Sequence, residues 1–133
     1  IIKKKREINN LYIKNLKNIE GINLQEDSIK SDPVKWGFPV KLSNSIYAKR
    51  IIRRLNKINI QVIPSFVSFN KFKYLKIYYN KKNKKSDFKN SELLQNSLII
   101  LPLNLKLTKS DIIFICKSIK KILGNHIRHL KSY

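Results

Sequence analysis

Few residues in this chain have the types and the spacing that chemistry requires, and its two histidines are the first candidates. His126 and His129 lie three residues apart, a spacing that places both side chains on one face of a helix and suits a metal ion. No cysteine and no acidic residue lies near them in the sequence. We therefore interpret the segment around them as a solvated tail and predict no metal site.

The other candidates for catalysis are equally isolated. Cys116, the single cysteine, falls on the apolar stripe of a helical pattern, which favours a buried and inert thiol. The three glycines are scattered and form no phosphate-binding loop, and the eight acidic residues do not cluster into an acid/base pair. We predict no catalytic residue in this chain.

Aromatic and basic residues interleave between residues 65 and 85, in the run FNKFKYLKIYYNKKNKK. Aromatic rings beside lysines are typical of a surface that binds single-stranded nucleic acid. A loop that packs its rings on its own sheet and points its lysines outward has the same composition, so we do not expect nucleic-acid binding. Trp36, the single tryptophan, is interpreted as a core residue rather than a ligand-stacking one.

The charge of the chain is large but compositional. Its 133 residues, enough for one domain, hold 29 lysines and arginines against 8 acidic residues, a net charge of +21. Lysine, isoleucine and asparagine occur 24, 22 and 15 times, and arginine only five times. These three residue types share adenine- and thymine-rich codons, so a biased genome explains the lysines without a polyanionic partner. A basic nucleic-acid-binding domain stays open as an alternative.

The compartment follows from what the sequence lacks. A single cysteine excludes an internal disulfide and favours a reducing compartment, and no uncharged stretch has the roughly 20 apolar residues that span a bilayer. The opening residues, IIKKKRE, do not resemble a signal peptide. We expect a cytoplasmic protein without a membrane segment.

Amphipathic periodicity predicts the helices that would position any site. The first helix covers residues 1–20 and ends at Gly21, with an apolar stripe that we expect to be partly exposed for contact with another domain. Further helices begin near Ser45 and at Thr108, where Asp111 completes a capping-box pattern. The last of them is expected to end at Gly124. A short helix capped by Ser86 or Asp87 runs through Gln95.

Short apolar and β-branched runs predict three strands, over residues 36–40, 60–63 and 97–101. Each strand lies between helices, and a proline stands in or beside each one. The fold class is therefore mixed α/β, with a short three-stranded sheet that the helices cover on one face.

The order of these segments resembles the C-terminal small domain of the DegT/DnrJ/StrS-type aminotransferases, which are pyridoxal-phosphate sugar aminotransferases of the aspartate-aminotransferase fold. The opening helix, the WGFPVKL strand and the helix-to-strand segment AKRIIRRLNKINIQVIP each resemble the family pattern. The closing segment is the most specific. Its pattern has an aromatic residue, an asparagine and a small residue before a short helix. The sequence LPL, a leucine–threonine pair, an acidic residue and a final helix then follow. The matching positions are Arg6, Tyr12, Leu16, Gly21, Ile22, Phe88, Asn90, Ser91, Leu101, Pro102, Leu107, Thr108 and Asp111.

This resemblance implies a domain over residues 1–123, with residues 1–20 as the interdomain helix and 124–133 as a basic tail. The family's large domain, which carries the Schiff-base lysine and binds pyridoxal phosphate, would precede residue 1. The fragment itself would bind no cofactor. Its parent would act as a homodimer and transfer an amino group from an amino acid such as glutamate to a keto sugar nucleotide, for surface-glycan biosynthesis.

One departure from the family concerns the loop after the second predicted strand, which in the family reaches the substrate. Many members carry an arginine and a histidine there, whereas this chain has neither. The resemblance therefore assigns substrate contact to Ser65, Phe66, Ser68 and Asn70. A homologue without catalysis, acting as a structural or regulatory module, would also explain the missing residues and stays open.

Overall fold

The computed structural model describes residues 1–28, 30–43, 45–75 and 88–130, the side chains of 45–47 and 125–130 excepted. The predicted cap at Ser86 or Asp87 and residues 131–133 lie outside these ranges. The elements in chain order are α1 (Ile2–Leu16), β1 (Ile22–Leu24), β2 (Phe38–Leu42), α2 (Ser45–Lys57), β3 (Ile63–Pro64), α3 (Lys89–Ser97), β4 (Leu98–Leu101) and α4 (Lys109–Leu130). Two short 3₁₀ turns, Phe69–Lys71 and Lys73–Leu75, follow β3. None of the described helices is both long and apolar enough to cross a membrane.

The sheet is antiparallel and has the strand order β1-β2-β4-β3. The mixed α/β class is confirmed, but the prediction of three strands missed β1, which lies in a polar connector and has only three residues. At the centre, Phe38 pairs with Leu101 and Val40 with Ile99. Since side chains alternate along a strand, this register places all four on the same face of the sheet.

The helices pack on that face and form the core with it. α1 contacts α4, α4 contacts α2, and α2 contacts α3, so the four helices lie side by side over the sheet. α1, α2 and α4 each contribute a stripe of apolar residues at three- and four-residue spacing, whereas the buried residue of α3 is Ser97. The core contains, among others, Ile8, Tyr12, Leu16, Phe38, Val40, Ile51, Leu55, Ile99, Leu101, Ile112 and Ile119, each at most 2% exposed.

The apolar stripe of α1, expected to be partly exposed, is mostly buried. Ile8, Tyr12 and Leu16 are completely buried in the chain's own core, and Leu11 is half-buried beside them. The ring of Tyr12 stacks on Phe38 with centroids 4.7 Å apart, and its hydroxyl donates a hydrogen bond of 2.9 Å to the carbonyl of Pro102. Burial raises the pKa of this hydroxyl, which therefore stays protonated as a donor. α1 is an integral layer of this domain and ends at Leu16, not at residue 20.

The strand predicted at 60–63 is shifted to Ile63–Pro64. Asn59 has a left-handed φ of 60°, which turns the chain immediately after α2. The amide of Val62 then donates to the side-chain oxygen of Asn56 at 2.9 Å instead of to a strand. Ile60 and Val62 are still buried, so the apolar pattern marked core residues and misplaced the strand.

The end of the last helix was also predicted wrongly, because α4 continues past Gly124 to Leu130. Gly21 is the one glycine of the described chain with a positive φ, and Gly124 keeps a backbone that continues the helix. The predicted burial of Cys116, on α4, is confirmed. Burial raises the pKa of its thiol to about 11, which disfavours the reactive thiolate.

The predicted capping box at the start of α4 is confirmed. The amide and the hydroxyl of Thr108 both donate to Oδ2 of Asp111, at 2.8 and 2.6 Å, and the amide of Asp111 donates to the Thr108 hydroxyl at 3.2 Å. These bonds favour the ionised carboxylate and lower the pKa of Asp111.

Tyr12→Phe should lower the free energy of unfolding by about 1–2 kcal/mol, because it leaves the Pro102 carbonyl without its buried donor. Urea unfolding of both proteins would measure this difference. The matched control is Tyr74→Phe, since Tyr74 is exposed. Equal losses for the two variants would contradict the role of the Tyr12 hydroxyl.

Asp111→Asn should destabilise the chain near neutral pH and progressively less in acid. Because folding lowers the pKa of Asp111, its carboxylate stabilises the fold above the unfolded-state pKa, and this contribution is lost as the pH falls through the folded-state value. Urea midpoints over a pH series would measure the effect. Thr108→Ala should weaken the same dependence and Thr108→Ser should preserve it; a pH-independent gap between wild type and Asp111→Asn would contradict the capping role.

Candidate functional site

The loop after β3 is fixed at its start by the sheet. The amide of Ser65 donates to the carbonyl of Leu98 at 3.1 Å, which extends the pairing of β3 with β4 by one more hydrogen bond. Pro64, which cannot donate, is tolerated because β3 is an edge strand. The chain therefore leaves the sheet at Ser65 along a defined path.

Ser68 fixes the loop a second time, against α3. It is 3% exposed; its amide donates to Oε1 of Gln95 at 2.6 Å, and its hydroxyl lies 2.7 Å from the hydroxyl of Ser91. The Ser68 hydroxyl also donates to Oδ1 of Asn70 at 2.7 Å. One serine thus joins the loop to two side chains of α3 and to the next turn of the loop.

Asn70 continues this network to the start of α3. Its amide nitrogen donates to Oε1 of Glu92 at 2.7 Å, and the ammonium of Lys71 contacts the same oxygen at 2.8 Å. Both bonds favour the carboxylate, with Lys71 the larger effect, and they lower the pKa of Glu92. Glu92 lies in the first turn of α3, where a negative charge is also favourable.

Between these two fixed points the loop presents Phe66 to the outside. Phe66 is 71% exposed, and Val67 beside it is also exposed. The ring of Phe66 lies next to the indole of Trp36, with centroids 5.8 Å apart and ring planes inclined at 51°. Trp36 is 58% exposed, so the prediction that it is a core residue was wrong.

The residue after Trp36 lies close against the sheet. Gly37 is buried against Ile100 of β4, and a Cβ at position 37 would lie only 2.5 Å from Cγ2 of that isoleucine. Ile100 itself is buried on the opposite face of the sheet from Ile99 and Leu101. Position 37 therefore requires a glycine, which fixes the backbone next to Trp36.

The four residues predicted from the family resemblance therefore lie together, but in two different settings. Phe66 is available to a ligand, while Ser68 and Asn70 are hydrogen bonded to the domain, and Ser65 is held through its backbone. Their role as a substrate-binding loop stays a prediction. Sequence reasoning missed Trp36, and the glycine after it was the available signal, because a glycine in a strand segment often marks a close backbone approach.

The described residues contain no group of three or more histidine, cysteine or acidic side chains that could hold a metal. The side chains of His126 and His129, which the sequence analysis considered, lie outside the described part of the structure, although their backbone belongs to α4.

This arrangement of a small sheet, a one-sided helical layer and an aromatic loop is the small-domain architecture of fold-type-I aminotransferases. The structure is similar to aminotransferase TlmJ from Streptoalloteichus hindustanus, with a TM-score of 0.81 and 15% identity over 95% of this chain and 32% of that one. It is also similar to sugar aminotransferase CalS13 from Micromonospora echinospora (TM-score 0.76, 18% identity, 91% of this chain and 30% of that one). A third similar structure is Helicobacter pylori PseC, an aminotransferase involved in the biosynthesis of pseudoaminic acid (TM-score 0.75, 18% identity, 90% and 32%).

The family of the chain is established by its sequence. Residues 1–120 match the DegT/DnrJ/EryC1/StrS aminotransferase family, and the chain belongs to it. No curated protein matches the sequence. The chain spans about a third of the length of the solved structures that it resembles.

Ser68→Ala should loosen the loop and lower the free energy of unfolding by about 1–2 kcal/mol, because Ser91 and Asn70 lose a buried partner. Hydrogen exchange of the amides at 66–70 would report the loosening. The matched control is Ser65→Ala, since Ser65 is held by its backbone amide. Unchanged exchange in Ser68→Ala would show that Ser68 does not fix the loop.

Proposed function

We propose that the chain is the C-terminal small domain of a pyridoxal-phosphate-dependent aminotransferase, with residues 1–123 as the domain. The observation that carries this proposal is the family match over residues 1–120. The parent would transfer an amino group from an amino acid such as glutamate to a keto sugar nucleotide, in the cytoplasm and for surface-glycan biosynthesis. The sugar aminotransferases among the similar structures support a sugar as the acceptor.

The cofactor would belong to another part of that enzyme. Pyridoxal phosphate needs a lysine for its aldehyde, a carboxylate for its ring nitrogen and a set of donors for its phosphate. Of the described lysines, Lys35 forms a salt bridge with Asp27 and Lys71 forms one with Glu92. Both salt bridges stabilise loops. These residues do not fit a cofactor site, so we derive no cofactor chemistry from this chain.

The contribution of this chain is to form one wall of a substrate cleft. Phe66 is the residue that would touch the substrate, while Ser68 and Asn70 hold the loop in place and Ser65 begins it. Fixing the loop before binding reduces the entropy that a ligand must overcome. An aromatic wall cannot pair with a phosphate, so charge recognition would come from the large domain or from the partner subunit of a homodimer.

The proposal is tested on the native protein, purified as its host makes it. We expect it to carry bound pyridoxal phosphate, seen by its visible absorbance, and to aminate a keto sugar nucleotide with glutamate as donor. A native protein that contains no pyridoxal phosphate would overturn the proposal and would favour a non-catalytic module.

In that enzyme, Phe66→Ala should raise KM for the sugar nucleotide by roughly tenfold, because a stacking contact with the substrate is lost. The absorbance of the bound cofactor should not change. Steady-state kinetics measures the first effect and spectroscopy the second.

Phe114→Ala is the matched control, since Phe114 is an exposed phenylalanine on α4, away from the loop. It should leave KM unchanged. An unchanged KM in Phe66→Ala would reduce the loop to a packing element.

A further inference from the structure

Trp36 and Phe66 form an exposed aromatic corner, defined here as these two rings and the surface between them. Their planes are inclined at 51° with centroids 5.8 Å apart, and both side chains are more than half exposed. Large aromatic residues exposed side by side mark an interaction site more often than chance, because their exposure to water is unfavourable. The notable feature is that the single tryptophan of the chain is one of them.

The backbone on both sides of the corner is fixed by the domain. Gly37, next to Trp36, lies directly on Ile100 of β4, and Phe66 stands between the hydrogen bonds that Ser65 makes to Leu98 of β4 and Ser68 makes to Gln95 of α3. β4 therefore supports both sides of the corner. A fixed backbone under both rings lowers the entropy cost of binding a flat ligand.

The chemistry of the corner selects a planar, uncharged group. The loop from 65 to 70 has no cationic side chain, and the lysines that precede Trp36 and follow Asn70 form ion pairs, Lys35 with Asp27 and Lys71 with Glu92. The corner itself therefore offers an anion two aromatic rings and no charge. A heterocycle that stacks on one ring is inclined at 51° to the other, between the stacked and the edge-to-face arrangements of aromatic groups.

We propose that the aromatic corner binds the base of the nucleotide sugar, with Trp36 as a specificity-determining residue together with Phe66. This inference rests on the proposed function, since it assigns one part of the proposed substrate to one part of the chain. The sugar and the diphosphate would extend away from the corner toward groups that this chain does not provide.

The single tryptophan makes the test direct, because its emission and its indole N–H signal report on position 36 alone. The 133-residue chain is titrated with uridine diphosphate, uridine and ribose phosphate. Uridine diphosphate and uridine should quench the emission and shift the indole signal saturably, and ribose phosphate should do neither. With only this part of the site present, saturation is expected at roughly millimolar concentrations.

Variants then distinguish uridine binding at the aromatic corner from nonspecific binding elsewhere on the chain. Phe66→Ala should weaken binding of uridine by roughly five- to a hundredfold, the range expected for one lost stacking contact with a base. Phe66→Tyr should retain binding, and Phe114→Ala, which removes an exposed phenylalanine elsewhere, should not alter it. Trp36→Ala, followed through the proton signals of uridine, should weaken binding as much as Phe66→Ala.

Two results would overturn the inference. One is an indole signal that uridine and uridine diphosphate leave unchanged up to about 10 mM, or that ribose phosphate shifts equally. The other concerns the native enzyme without substrate: the part of its emission that Trp36→Phe removes is not quenched by acrylamide, since the corner would then be covered by protein. A native enzyme that transaminates without binding uridine at Trp36 refutes only this inference, whereas uridine binding by a protein without pyridoxal phosphate refutes only the proposed function.

Discussion

The antiparallel pairing of β2 with β4 is the interaction on which the rest of the structure depends. Its register places Phe38, Val40, Ile99 and Leu101 on one face, and the helices cover that face and bury it. The same register turns Ile100 to the other face, outside the core cluster. There Ile100 lies directly against Gly37, the residue that follows Trp36. The core and this close contact are therefore two consequences of one strand pair.

The helices were predicted well from the sequence and the strands less well, for a physical reason. The three longer helices each bury a stripe that repeats over several turns, so Ile112, Ile115 and Ile119 suffice to define α4. The strands have two to five residues, which is too short for a period to be recognised. Asn56 shows the difficulty, because its side chain takes the amide of Val62 out of the sheet, and no pattern of apolar residues indicates such a bond.

The candidate loop was located by resemblance, but its internal roles were not. Sequence alone treats Ser65, Ser68 and Asn70 as equivalent polar groups beside Phe66. The structure separates them, since the partners of Ser68 and Asn70 are Ser91, Gln95 and Glu92, more than 20 residues away in the chain. Partners at such distances become visible only when α3 is packed against the loop. The same limitation explains why Trp36 and Phe66, 30 residues apart, were not recognised as neighbours.

The charge of the chain bears on this surface as well. Exposed lysines occur on α1, α2 and α4, for example Lys4, Lys49 and Lys120, so they cover the helical side without forming one cluster. These lysines are thus shared among three helices, which agrees with a compositional origin of the charge. A net charge of +21 still attracts a doubly charged diphosphate over a long range, while leaving its orientation unspecified. Orientation needs a contact with a definite geometry, and the inclined rings of Trp36, just before β2, and Phe66, in the loop, offer one. Under the proposed function, the positive charge of the chain would raise the local concentration of an anionic nucleotide. Stacking on the aromatic corner would then select its base.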